Sequence, residues 1–105
     1  MNSDTSHQNV VCSRWQAPHF RPINKFYKSQ QHKGKANGSD LVFYAHHSDN
    51  PEDILGAVRL VPYDDYFWLR SLYIQEALRG QGIGAKLLGF VHGQIHKRIY
   101  CFPYD

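Results

Sequence analysis

WLRSLYIQEALRGQGIGAKLL, residues 68–88, changes character halfway along. Its first half is rich in aromatic and apolar residues and reads as the end of a strand over Tyr66–Gln75. Glycines then fall at 80, 82 and 84. Ile83, Leu87, Leu88, Val91 and Ile95 return at helical spacing, which predicts a helix to about Lys97. Between the two lies Arg79-Gly80-Gln81-Gly82-Ile83-Gly84. Glycine lets a backbone turn tightly and approach a ligand closely, and the free amides at the start of a helix favour a phosphate or pyrophosphate. The same residues would also serve as an ordinary strand-to-helix turn, so their surroundings decide.

Upstream, Asp40–His47 and Ile54–Pro62 are two further runs of strand character. The segment HSDNPED separates them, and Tyr63-Asp64-Asp65-Tyr66 separates the second from Tyr66–Gln75. The three predict an antiparallel meander. Before it, Gln31–Ser39 (QHKGKANGS) reads as a loop. Ile23, Phe26, Tyr27 and Gln30 follow helical spacing behind Pro22, which suits an opening turn. Val10–Trp15 reads as a first strand, and Arg98–Phe102, before Pro103, as a last one. Residues 1–8 are polar and read as a disordered tail, leaving 9–105 as a single domain with one core. The fold class expected is α+β: a mainly antiparallel sheet of about five strands, flanked by helices.

Two nucleotide-binding motifs fail on these residues. A P-loop needs Gly-Lys-Ser/Thr, whereas Gly84 is followed by Ala85-Lys86-Leu87. A dinucleotide fold needs its glycines after the first strand of a βαβ unit, with an acidic residue roughly twenty positions on; here they follow a meander, and that position falls near Tyr100. Basic residues exceed acidic by three but are scattered, so anionic ligands are permitted and a nucleic-acid surface is not expected. No apolar stretch approaches the length of a membrane span and the N-terminus has no apolar leader core, so a cytoplasmic protein is expected. Cys12 and Cys101 show no metal-ligand spacing and read as small core residues. His46 and His47 are adjacent on a predicted strand and point to opposite faces, so no metal site is expected.

Residues 68–88 resemble the central motif of the GNAT acetyltransferases, whose signature is Arg/Gln-x-x-Gly-x-Gly/Ala; Arg79, Gly82 and Gly84 fill its fixed positions. The order strand, helix, three strands, glycine turn, helix, strand is similar to that fold from about Val10 onward. The resemblance implies that the amides of Gln81, Gly82, Ile83 and Gly84, with Arg79 and Gly80 shaping the loop, hold the pyrophosphate of acetyl-coenzyme A. It also implies that the backbone of Leu72 and Ile74 binds the pantetheine arm as though it were an added strand, with the thioester beside Leu72. The implied activity is acetyl transfer from acetyl-CoA to an amine of a small molecule or peptide. Asp64, Asp65 and Glu76 are the acids nearest in sequence to that cleft. The first two suit a turn and the third a solvated surface, and no catalytic residue is assigned.

If the strands flanking Tyr63–Tyr66 pair symmetrically across the turn, Arg59 stands opposite Arg70. Opposed like charges are unfavourable, so something acidic is expected between them: an anionic group of a substrate, or an acidic side chain of this chain. A complete GNAT domain continues past the strand at Arg98–Phe102 with a helix and two strands, whereas this sequence ends at Asp105. The missing part commonly supplies a tyrosine that protonates the leaving thiolate, a role not assigned to Tyr100 or Tyr104. Two expectations follow: self-association, at least a dimer, along the uncovered last strand, and, as the alternative to catalysis, a truncated module that binds CoA or a partner protein. In the resembling fold the first and fifth strands lie far apart, so Cys12 and Cys101 are expected to stay reduced.

Overall fold

LVFYAHH, Leu41–His47, is apolar at successive positions rather than alternate ones, and such a strand needs cover on both faces. The structure, a computed structural model that describes residues 9–101, supplies that cover. The tail expected over residues 1–8 lies outside the described residues, as do Phe102 and Tyr104.

The chain runs β1 (Val10–Trp15), α1 (Arg21–Ser29), β2 (Leu41–His47), β3 (Asn50–Tyr63), β4 (Tyr66–Ile74), a single 3-10 turn (Glu76–Leu78), α2 (Ile83–Gln94) and β5 (Arg98–Cys101). The strands form one sheet in the order β1-β2-β3-β4-β5. All neighbours are antiparallel except β4 and β5, which are parallel and joined through α2. The expected α+β class holds.

Each helix covers one face. Ile23, Phe26 and Tyr27 of α1 pack on Val42, Tyr44 and Ala57. Leu87 and Val91 of α2 pack on Phe43, Val58, Leu60 and Phe67 on the other side. The alternation Val42, Tyr44 against Phe43 follows from the two-residue period of a strand. Each such large side chain contributes on the order of 1.5–3 kcal/mol when fully buried.

Several boundaries differ from expectation. The segment read as a β2–β3 loop shrinks to Ser48 and Asp49, because β3 begins at Asn50; Pro51 is tolerated at the exposed start of that strand. Helix α2 stops at Gln94 rather than near Lys97, since Ile95 is extended at φ −114, ψ 130. Cys12 packs against the α2 side as expected, but Cys101 is exposed, because β5 is the outer strand of the described sheet. Both cysteines are free thiols, on opposite edges of the sheet. Among the described residues no helix is long and apolar enough to cross a membrane.

Candidate functional site

Strand β4 is where regular pairing fails. Gly56 faces Ile74 and Ala57 faces Tyr73, but Arg59 faces Arg70, so Val58 stands opposite two residues, Ser71 and Leu72. This is a β-bulge, with Ser71 in the left-handed region at φ 59. The Tyr27 hydroxyl donates to the Ser71 carbonyl at 2.7 Å and is buried, tying α1 to the kink. Among the described residues, β5 accompanies β4 only from Tyr66 to Leu69.

Backbone direction beyond the bulge can be read from Gly56. A Cβ there would lie 3.1 Å from the Tyr73 carbonyl oxygen, so Tyr73 turns its backbone groups toward β3. By strand alternation, Leu72 and Ile74 turn theirs to the other edge. The Ile74 carbonyl on that edge accepts from Arg79 Nε at 3.1 Å. The Leu72 and Ile74 side chains meanwhile pack against the α2-side core, so the backbone alone is presented.

The glycine turn begins next to this edge. Gly80 and Gly82 adopt φ 82 and φ 83, and a Cβ at either would meet nothing within 4 Å. These two glycines serve the conformation of the backbone rather than close packing. Gly82 caps α2 without any side-chain hydrogen bond, and the first turn of the helix carries no acid. Gly84 approaches the edge strand: a Cβ there would lie 3.7 Å from Ile74 Cγ1. Arg79 is held over the Tyr73 ring at 4.6 Å. Lys86 is committed to the Val10 carbonyl at 2.6 Å, closing a small cavity of about 100 Å³ with Gln81, Gly82 and Ile83. Burial pushes the Cys12 thiol up, and the Lys86 ammonium partly pulls it back.

On the α1 face, the expected opposition of Arg59 and Arg70 is present. The Arg59 guanidinium meets an acid of this chain: Nη1 lies 2.8 Å from Asp40 Oδ2, and both side chains are nearly buried. Arg59 Nε donates to Ser71 Oγ at 3.1 Å. A cavity of about 390 Å³ opens beside them, lined by Gln31, His32, Lys33, Gly34, Arg59, Arg70 and Ser71. His32 Nδ1 accepts from the Gly34 amide at 2.8 Å, so the neutral ring carries its proton on Nε2.

The structure thus brings Leu72, Ile74, Arg79, Gly80, Gln81, Gly82, Ile83 and Gly84 to one end of the sheet, with Arg59 and Arg70 on its α1 face. Asp64 and Asp65 sit in the hairpin turn at the start of β4, away from that end, and Glu76 is exposed on the 3-10 turn. Among the described residues, no group of three His, Cys, Asp or Glu side chains could hold a metal ion. Sequence reasoning missed the Ser71 bulge, its tyrosine clamp and the wall formed by residues 31–34. The positive charge at Lys33 beside a glycine was the one visible signal.

The acetyltransferase (GNAT) domain family matches residues 37–102. No curated protein matches the chain. A GNAT-family acetyltransferase from Streptococcus pneumoniae TIGR4 superposes with a TM-score of 0.69 at 14% identity, over 89% of this chain and 74% of that one. A ribosomal-protein-alanine N-acetyltransferase from Brucella melitensis biovar Abortus 2308 gives 0.68 at 10% identity, over 88% and 78%. An aminoglycoside acetyltransferase from an uncultured soil metagenomic sample, solved with sisomicin, gives 0.62 at 16% identity, over 91% and 78%.

Proposed function

This chain belongs to the GNAT acetyltransferase family, and from that premise we propose that it transfers the acetyl group of acetyl-CoA to an amine of a small molecule or peptide. One observation carries the reading: the glycine turn and the half of β4 that β5 does not accompany among the described residues meet at Ile74, whose carbonyl accepts from Arg79 and whose side chain lies beside the Gly84 position. A ligand with a pyrophosphate and an extended amide-bearing arm suits such a junction. The pyrophosphate would lie on the amides of Gln81 to Gly84, where the helix dipole and absence of a capping side chain favour negative charge. The arm would pair with the backbone of Leu72 and Ile74 as an added strand.

The chemistry is then positional. The acceptor nitrogen attacks the thioester carbonyl, a C–N bond forms, the nitrogen loses a proton, and the C–S bond breaks with the electron pair leaving on sulfur. A backbone N–H on the Leu72–Ile74 edge of β4 would stabilise the oxyanion, and holding both reactants in register supplies much of the rate. The described side chains offer no assigned base: Asp64 and Asp65 lie elsewhere, and His32 has its acceptor nitrogen occupied. That placement favours a second reading, a module that binds CoA or a partner protein without turnover.

Calorimetric titration of acetyl-CoA separates these from no binding at all. The wild type is expected to bind, and the double variant Gly82→Asp, Gly84→Asp to lose at least tenfold, about 1.4 kcal/mol, by placing carboxylates where the pyrophosphate would lie. Equal binding by both proteins, or none by the wild type, would sink the cradle. Binding without acetylation of any amine in a broad panel would leave the second reading standing.

A further inference from the structure

A cavity of about 550 Å³ lies between α1 and the loop that follows it, and its wall gathers positive charge. Arg21, Lys25 and Lys28 line it, and no acidic residue does. All three are exposed. Among the described residues, none of them engages its side chain in a hydrogen bond or ion pair. Spacings of four and three residues stack them on one side of the helix, where like charges repel. Arg21 also opens α1, at the positive end of the helix dipole; Phe20 caps the helix without a side-chain hydrogen bond, and the first turn carries no acid. These placements are unfavourable by themselves and favourable around an anion.

The wall facing the cations is held in place. The Asn24 side chain clamps Ala36 at both backbone groups, accepting from its amide at 2.7 Å and donating to its carbonyl at 3.4 Å. The next amide, that of Asn37, donates to Asp40 Oδ2 at 3.0 Å. That carboxylate does not balance the cavity, because it is buried and paired with Arg59 at 2.8 Å. Phe20 and Ala36, both buried, complete the lining between helix and loop.

We propose that this cavity binds a small oligophosphate, a ligand carrying two or more linked phosphate groups. Arg21 and Lys28 are separated by about 10 Å along the helix axis, at a rise of 1.5 Å per residue, so a row of phosphates meets all three cations where a single one does not. Ammonium groups bind phosphate oxygens as point charges, and the guanidinium adds a planar fork. The volume lies within the roughly 300–1,000 Å³ of small-molecule sites. The apolar side of α1, Ile23, Phe26 and Tyr27, is spent on the sheet, which leaves the helix nothing to insert into a lipid surface. The loop at residues 36–38 bounds the cavity on one side, which suits a short ligand rather than a strand running past. Because α1 and α2 cover opposite faces of the sheet, the site is separate from the glycine turn and independent of the acetyl-CoA reading.

The test titrates tripolyphosphate into the full chain at low salt, followed by amide chemical shifts, beside orthophosphate and a short single-stranded oligonucleotide. Tripolyphosphate is expected to shift Arg21, Asn37 and Gly38 and to bind about tenfold more tightly than orthophosphate, with an affinity that falls as salt is added. The double variant Lys25→Gln, Lys28→Gln, at exposed positions outside the core, should weaken it about tenfold and leave acetyl-CoA affinity and thermal stability unchanged. The variant Gly82→Asp, Gly84→Asp should leave tripolyphosphate affinity intact. Loss of binding in the glycine variant but not in the lysine variant would put the probe on the glycine turn and overturn the proposal. No shifts at α1, equal affinity for orthophosphate, or tighter binding of the oligonucleotide would overturn it as well.

Discussion

The two halves of β4 have opposite tasks. From Tyr66 to Leu69 the strand is paired on both sides, with β3 and β5, and Phe67 and Leu69 join the core under α2. From Arg70 to Ile74 it carries a bulge, keeps β3 as its described neighbour and borders both the glycine turn and the cavity beside residues 31–34. Backbone groups satisfied inside the sheet stabilise the fold, and groups left on an edge can recognise something else. One strand thus anchors the structure at one end and offers hydrogen bonds at the other, with Ser71 as the divide.

The largest expected effect lies in the anchoring half. Leu60 is 0% exposed and stands opposite Leu69. Leu60→Ala should cost about 2–5 kcal/mol in urea denaturation, through lost burial and the cavity left behind. Acetyl-CoA affinity of the protein that remains folded should hardly change; a parallel fall in affinity would show that the halves are not separable. A smaller effect is expected at the divide itself. Tyr27→Phe removes the buried 2.7 Å bond to the Ser71 carbonyl and should destabilise by about 1–3 kcal/mol. Because that bond fixes the bulge beside Leu72, acetyl-CoA affinity should fall in the same variant, whereas Leu60→Ala leaves it alone. Unchanged affinity would mean that the kink is held by β3 without help from α1.

These differences explain what could be read in the residues beforehand. The meander, the glycine turn and the Arg59–Arg70 opposition are written in local signals: alternation, turn residues and symmetric pairing across a four-residue hairpin. The bulge is not, because nothing within WLRSLYI marks an extra residue, which appears only when two strands are counted against each other. The partner of Arg59 was equally hidden. Asp40 reads as the polar start of a strand, and only folding carries it across 19 positions to the guanidinium. Cys101 misled for a related reason, since its apolar neighbourhood in sequence became the outer edge of the sheet. The loop at residues 31–34 was legible as a loop, while its role as a cavity wall depends on contact with Ser71.

The two cysteines report on the same comparison with the smallest effect. Cys101 closes the paired half of β4, opposite Leu69, and is exposed; Cys12 is half-buried beside Lys86 near the start of α2. Burial raises the Cys12 thiol above its ordinary value of 9.0, so between that value and the raised one the folded chain holds more protons than the unfolded. The stability this contributes is complete below pH 9 and is lost as pH rises past it. The stability difference between the wild type and Cys12→Ala should therefore narrow as the pH rises above 9, while the Tyr44 hydroxyl, also raised by burial, affects both proteins alike and cancels. A thiol reagent at about pH 8, followed by mass spectrometry, should label Cys101 well before Cys12, since the thiolate is the reactive form and Cys12 is both covered and less ionised. Equal rates would mean that β1 parts from α2 as easily as the outer strand meets solvent, and the glycine turn would then rest on a mobile floor rather than a fixed one.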